Sequence, residues 1–370
     1  MRGLYVHIPF CVKKCSYCDF YSLPGQLDSL ESYVQAVVQE SQKYAKMSFD
    51  TLYLGGGTPS LLGVKHLKNL MNGIRKSFDL SGLTEATIEL NPESATPEFL
   101  AAAKETGFNR VSSGVQSLSD DELKSVGRIH TAKQAISAVK LAKKIGFKAV
   151  SADLIIGLPG QTWVSLNKSL ETLIGLGIPH LSVYCLSLED GTPLAKNPPD
   201  NLPSDDTQAE LYDKTRMFLV GRGFIHYEIS NFALKGYECQ HNLNYWRGDE
   251  YLGLGPSAAS HLDRKRFRNS ADLSAYLQNP TEQTEYIEEL NLQNKAAEEA
   301  MLRLRLLEEG LDTRGLAVEY GVANVQDIIR RLNNMVQEGL LTCEGSRYRL
   351  SPSRIITSNP IFARVIAGVK

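Results

Sequence analysis

Apolar residues in the first half of the chain fall into two alternating periodicities. Short runs dense in apolar and aromatic residues occur at 4–8, 51–54, 86–90, 110–115, 148–156 and 180–186. Several are too apolar for a strand with one wet face, so they predict parallel strands covered on both faces. Between them, apolar residues recur at helical spacing over 29–45, 62–78, 98–106, 132–145 and 162–176. Gly107, Gly146 and Gly177 closely follow three of these segments, where a helix end takes a left-handed residue. Strand–helix alternation repeated five or six times predicts a parallel α/β sheet, open or barrel-like. Such folds place ligands at the C-terminal ends of their strands, and the chemically suggestive residues of this sequence fall there.

The pattern changes near residue 190. Residues 196–206 are polar and hold Pro198, Pro199 and Pro203, as expected of a linker or surface loop. A helix at 207–222, a strand at 224–228 and a glycine-rich stretch at 251–260 follow. Helical patterns at 295–308, 313–320 and 324–338 then precede a hairpin around Gly345, the order of a winged-helix-like module. The expected divisions are a barrel core over 1–195, an extension over 196–290 and a mostly helical C-terminal domain over 291–370.

Composition adds exclusions. Hydrophobic residues make up 42% and charged residues 22%, the balance of an ordinary soluble globular protein. A net charge of −2 creates no field that would draw the chain to nucleic acid or an anionic membrane. In the C-terminal module Arg303, Arg305, Arg330 and Arg331 are interspersed with acids, so no nucleic-acid partner is expected. No apolar run is long enough to span a bilayer, and the N-terminus reads better as a first strand than as a signal peptide. The acidic run from Glu282 to Glu289 reads as a solvated face.

Three of the six cysteines lie within eight residues, Cys11-Val-Lys-Lys-Cys15-Ser-Tyr-Cys18. That density points to metal binding in a reducing compartment, and so to a cytoplasmic protein. Three thiolates so close in sequence can converge on one soft metal centre. Structural zinc is the plainer alternative, but it takes four ligands, and a fourth would have to come from Cys185, Cys239 or a distant histidine. Three buried thiols without metal are the remaining reading. A four-iron cluster on three cysteines would leave one iron open to a chelating ligand.

Directly after the second strand stands Gly55-Gly56-Gly57-Thr58-Pro59. With the cysteine spacing, this resembles the radical S-adenosylmethionine (SAM) superfamily. The resemblance implies a [4Fe–4S] cluster on Cys11, Cys15 and Cys18, with SAM bound to the open iron and an external electron donor. It also implies an incomplete (β/α)6 barrel. Tyr5-Val-His-Ile-Pro-Phe-Cys, Glu89-Leu-Asn-Pro-Glu, Gly114-Val-Gln-Ser, Gly127-Arg-Ile-His and Asp153-Leu-Ile-Ile-Gly-Leu-Pro-Gly-Gln-Thr look like the oxygen-independent coproporphyrinogen III oxidase group. Tyr5, Gly57, Thr58, Glu89, Gln116, Arg128 and Asp153 match that group's SAM-binding positions. Glycines would let backbone groups approach the methionyl end, Arg128 would pair with the carboxylate, and Glu89 or Asp153 would accept from hydroxyl or amino groups.

Two features divide this group. Its dehydrogenases carry a further cysteine two positions after the third cluster ligand, where this chain has Phe20. His241-Asn-Leu-Asn-Tyr245-Trp246 resembles the H-N-x-x-Y-W signature of the heme-chaperone family HemW. The likeness implies heme as cargo near His241, Tyr245 and Trp246, with Cys239 as a lesser candidate ligand. Histidine is a good axial ligand, and tyrosine and tryptophan can lie against a porphyrin. It further implies transfer of heme to a membrane-bound respiratory acceptor, with only peripheral contact to the membrane. The alternative is the coproporphyrinogen III dehydrogenase itself, and a third reading is radical chemistry on an unrelated small substrate. The identity of any catalytic residue and the oligomeric state, a dimer included, stay open.

Overall fold

The computed structural model describes residues 1–367. Six parallel strands run side by side in chain order: β1 (Arg2–Ile8), β2 (Thr51–Gly56), β3 (Glu85–Leu90), β4 (Arg110–Gln116), β5 (Ala149–Ile156) and β6 (His180–Cys185). Helices α1 (Leu30–Lys43), α2 (Gly63–Ser77), α3 (Pro97–Glu105), α4 (Ala132–Ile145) and α5 (Trp163–Gly175) connect them. Local chemistry sets the helix ends. Thr131 with Gln134, and Thr162 with Ser165, form reciprocal caps that satisfy first-turn amides of α4 and α5. Gly107, Gly146 and Gly177 all take the positive φ that their positions after helices require.

Alternate positions along each strand divide the sheet into two faces. Leu52 and Leu54 of β2 join the large apolar core under the helices, whereas Tyr53 faces a polar interior shared with residues of β3 to β6. The sheet therefore curls around that interior as a partial barrel.

The strand set is longer than the sequence pattern suggests. After α6 (Asp205–Gly221), β7 (Ile225–Glu228) and β8 (Asn231–Ala233) add an antiparallel edge beyond β6. The residues of the H-N-x-x-Y-W segment form a short helix, α7 (Gln240–Trp246), rather than a loop. The glycine-rich stretch is two strands. β9 (Glu250–Leu254) lies parallel to β1 on its free side, and β10 (Ala259–Leu262) turns back against β9. A side chain at Gly253 would run into the Ala259 carbonyl, so the glycine signals close strand approach here rather than a loop. β11 (Lys265–Asn269) and β12 (Thr284–Glu289) complete the twelve-stranded order β12-β11-β10-β9-β1-β2-β3-β4-β5-β6-β8-β7. The acidic run is thus an edge strand, where Glu285 and Glu288 face Arg268 and Arg266 of β11, and charge discourages further pairing.

Helices α8 (Leu292–Arg303), α9 (Thr313–Tyr320), α10 (Val322–Gln337) and α11 (Asn359–Ile366) enclose a second apolar core with a small sheet. That sheet is β13 (Leu311–Asp312), β14 (Leu341–Glu344) and β15 (Arg347–Leu350), with β15 in the middle. Helix–helix–helix–hairpin is present, with α11 as an addition. Among the described residues no helix is long and apolar enough to cross a membrane.

Glu40 of α1 ties the added strands to the barrel. Its buried carboxylate accepts from the Gly255 amide, the Asn269 side chain and the Tyr276 hydroxyl, and burial pushes its pKa up to about 7. Glu40→Ala would strand three buried donors, and each unmet buried donor costs about 1–3 kcal/mol. We expect a loss of at least about 2 kcal/mol in urea unfolding, with Glu40→Gln losing less because its amide oxygen still accepts.

Candidate functional site

Beyond β1, Phe10–Cys11 pairs briefly with Leu23–Pro24, and residues 12–22 loop over the C-terminal ends of the barrel strands. This loop carries the cysteines. Cys11, Cys15 and Cys18 are free thiols, the first buried and the other two partly exposed. All three line one cavity of about 350 Å³, together with Gly57, Glu89, Gln116, Arg128 and Asp153. Eight of the fourteen candidate site residues singled out in the sequence therefore share one wall, drawn from the loop, four strand ends and the segment before α4.

Neighbouring contacts fix this wall. Arg128 reaches Cys15 Sγ at 3.6 Å, the Asn91 side-chain oxygen at 2.8 Å and the Gly114 carbonyl at 2.7 Å. Its Nε is buried without a protein partner, as suits a guanidinium prepared for an anionic group. Gln116 ends β4 in a left-handed conformation, φ +62°, at a bulge in its pairing with β5. Such strain in a non-glycine residue recurs at ligand sites. Thr58 lies behind the wall, its hydroxyl 3.5 Å from Cys11 Sγ and accepting from the Asn91 amide at 2.9 Å.

The three glycines serve close packing first. A Cβ at Gly57 would stand 2.6 Å from the Phe10 carbonyl and 3.1 Å from Cys11 Sγ, and one at Gly56 would meet the His7 ring. The Gly57 amide donates to Ile8 O and the Gly56 amide to Glu89 Oε2. Both amides are thus engaged within the protein, which leaves carbonyl oxygens as the backbone groups of this turn that could meet an amino group. Among the side chains expected to hold the ligand's amino group, the acceptors on this wall are the Glu89 and Asp153 carboxylates.

Below the cavity the barrel interior stays polar. Tyr53 donates to Glu89 at 2.6 Å, and Ser112 donates to Asp153 at 3.1 Å. Burial pushes the Glu89 pKa up to about 7, with the Asp153 charge adding to the shift, and burial raises Asp153 to about 6. A small closed cavity of about 40 Å³ lies beneath them, with room for water. The unpartnered Thr87 hydroxyl belongs to its wall, as do the Arg110 guanidinium and the His180 ring, each with one unpartnered nitrogen.

Helix α7 closes the floor. The Glu85 carboxylate accepts from the Gln240 and His241 amides at the start of α7 and from the Cys239 thiol. His241 is 1% exposed and stacks on Tyr53 with ring centres 5.0 Å apart. Its Nδ1 contacts the Thr51 hydroxyl at 2.9 Å, and its Nε2 contacts the Tyr245 hydroxyl at 3.1 Å. Burial lowers its pKa to about 3, so the ring is neutral and both nitrogens are occupied.

The structure therefore does not gather His241, Tyr245 and Trp246 into one pocket. His241 plugs the N-terminal end of the barrel, opposite the cysteines. Trp246 turns to the C-terminal module, where Arg305 lies over its ring at 5.0 Å. Tyr245 lines a second cavity of about 390 Å³ together with Tyr5, which thus stands outside the cysteine cavity. Cys239 is buried on Glu85, and burial drives its thiol pKa strongly upward. Cys185 is exposed at the end of β6 and borders the cysteine cavity. Strand β6 emerges from the core at Tyr184, one turn of alternation earlier than its apolar sequence suggests. His7 is a satisfied interior residue, bonded to the Tyr5 hydroxyl and the Tyr21 carbonyl.

Asn91 and Tyr53 are functional neighbours beyond the candidate site residues of the sequence. Asn91 joins Arg128 to Thr58, and Tyr53 holds Glu89. The inward alternation of Thr51, Tyr53 and Gly55 was the available signal for Tyr53. No group of three or more His, Cys, Asp or Glu side chains among the described residues is arranged around a single metal ion. A cluster is a larger body whose cysteine ligands stand on separate irons, so free thiols spread along one wall suit it better than zinc.

The radical SAM superfamily model matches residues 5–173. A heme chaperone HemW of Lactococcus lactis is 37% identical over 308 residues, covering 82% of this chain and 81% of that protein. One from Bacillus subtilis is 33% identical and covers 98% of both. The solved structure of coproporphyrinogen III oxidase from Escherichia coli, a radical SAM enzyme, superposes with a TM-score of 0.85 at 23% identity, covering 98% of this chain and 88% of that one. That last likeness speaks for the fold.

Gly57→Ala should push the Phe10 carbonyl and Cys11 away from the wall, because the obstructing atoms are mostly backbone. We expect iron and sulfide incorporation after anaerobic reconstitution to fall well below that of Gly55→Ala, whose added methyl meets only side chains.

Proposed function

The chain belongs to the HemW family within the radical SAM superfamily, and on that basis we propose that it is a heme chaperone. It would hold a SAM-liganded [4Fe–4S] cluster on Cys11, Cys15 and Cys18, bind heme as cargo, and pass it to a membrane-bound respiratory acceptor. The observation that carries this reading is the agreement of two things. Relatives named heme chaperones match over 82% and 98% of the chain. Phe20, where the dehydrogenases have a cysteine, stands 63% exposed beside the cluster wall.

The bound cluster would supply an open iron and a reducing electron. The chain's own residues supply the rest. Arg128 would pair with the SAM carboxylate, Glu89 would accept from the methionyl ammonium, and Asp153 would accept from ribose hydroxyls. Gln116 offers a side-chain amide on the same wall. Thr58 would buttress Cys11. His241 has no lone pair free for iron in this arrangement, so its part would be to position the Tyr245 hydroxyl.

Two measurements test this. Titration of purified protein with hemin should give saturable binding with a shifted Soret band, and no binding would overturn the chaperone reading in favour of anaerobic coproporphyrinogen III turnover. SAM affinity should also depend on pH. Below about pH 7 Glu89 holds a proton that must leave before it can accept from an ammonium group. Affinity should therefore rise from pH 6 to pH 8, by at most about tenfold per unit for one proton, and flatten in Glu89→Gln. Calorimetry in buffers of different ionisation enthalpy reads the released proton directly.

A further inference from the structure

The cavity lined by Tyr5 and Tyr245 has a composition of its own. At about 390 Å³ it falls within the range of small-molecule sites. Tyr5, Tyr245 and Tyr251 form its barrel side, and Phe20 and Tyr21 of the cysteine loop form the other. Asp19 is its only charged lining residue apart from the neutral-leaning His7, whose pKa burial lowers. With no Lys or Arg on its wall, the cavity offers no partner to an anionic group, so any carboxylates of a ligand held here would point out of it to solvent. Aromatic faces with hydroxyl edges suit a broad, flat, largely apolar ligand with a polar centre.

The hydroxyls differ in their engagement. Tyr5 is bonded to His7, Tyr245 to His241, and Tyr21 accepts from the Leu273 amide. Tyr251 packs edge-on against Tyr245, centres 4.4 Å apart, and among the described residues no hydrogen bond occupies its hydroxyl. Asp19 and Phe20 line both this cavity and the cysteine cavity, so the two sites meet across one segment of the loop.

We propose that this tyrosine-lined cavity is the tetrapyrrole site, with the ring system held among Tyr5, Tyr245 and Phe20 and the Tyr251 oxygen directed to its iron, the phenolic proton passing to solvent as the iron–oxygen bond forms. Tyrosine oxygen is an established kind of haem-iron ligand. The proposal rests on the chaperone reading and gives it a location: cargo sits beside the cluster wall, across Phe20, while His241 acts from beneath through Tyr245. Tyr251 and Ala259 belong to β9 and β10 and neither lines the cysteine cavity, so changing them leaves the SAM wall intact.

The test titrates two probes, hemin and metal-free protoporphyrin IX, into wild type, Tyr251→Phe and Ala259→Trp. Cluster absorbance after reconstitution serves as the check of folding. Ala259→Trp fills the cavity and should weaken both probes by at least about tenfold, the equivalent of about 1.4 kcal/mol. Tyr251→Phe keeps the ring and removes the oxygen, so it should weaken hemin, alter its Soret band and leave protoporphyrin unchanged. Wild-type-like hemin binding by Ala259→Trp with an intact cluster would overturn the location while the chaperone reading stands. An unchanged hemin spectrum in Tyr251→Phe would overturn the role of its oxygen. Failure of wild type to bind hemin would overturn both.

Discussion

Six strands of this protein direct carboxylates, hydroxyls, a histidine and a guanidinium into the space they enclose, and buried groups of this kind are tolerable only when partnered or near water. Most parallel barrels fill that space with branched apolar side chains. Here Tyr53, Glu89, Arg110, Ser112, Asp153 and His180 occupy it. Glu85 near Arg110, Tyr53 on Glu89 and Ser112 on Asp153 partner part of the interior, and the Thr87 hydroxyl and one nitrogen each of Arg110 and His180 are left to water in the small cavity. The upper carboxylates remain close to protonation because burial opposes their charge. That is the state from which a cationic, hydroxyl-rich ligand can draw them into ionised pairs.

A polar interior must also be sealed from below, and this explains the H-N-x-x-Y-W segment better than its sequence does. Glu85 caps the first turn of α7, His241 stacks on Tyr53, and Asn244 bonds the Glu250 carbonyl at the start of β9. The same helix receives the C-terminal module. Arg305 covers Trp246, and just past the helix Arg247 pairs with Glu309 and the Gly248 carbonyl accepts from Lys295, while the Leu307 amide donates to Tyr227 O of β7. One short helix thus joins the barrel floor, the aromatic cavity and the C-terminal core.

The sequence was most legible where one residue has one structural reason. Alternating periodicities place β1 to β6 and α1 to α5 to within a few residues, because apolar faces and glycine helix ends are local signals. The cysteine spacing and the glycine run point to a shared site, and the structure brings those residues to one cavity wall. Legibility failed where the reason lies between distant segments. Gly253 looks like a loop residue until β10 is seen against it. His241 looks like an exposed ligand until Thr51, Tyr53 and Glu85 from two other strands surround it. Cys185 looks buried because its strand is apolar, yet β6 leaves the core just before it.

In the cavity under the cysteine loop, the proposed cluster would leave one iron open to SAM. The most direct measurement is the electron paramagnetic resonance spectrum of reconstituted, reduced protein with and without SAM. We expect a [4Fe–4S]+ signal whose shape changes when SAM is added, because the ligand would join an iron that no cysteine holds. A cluster signal identical in both samples, or none in a fully folded protein, would contradict it.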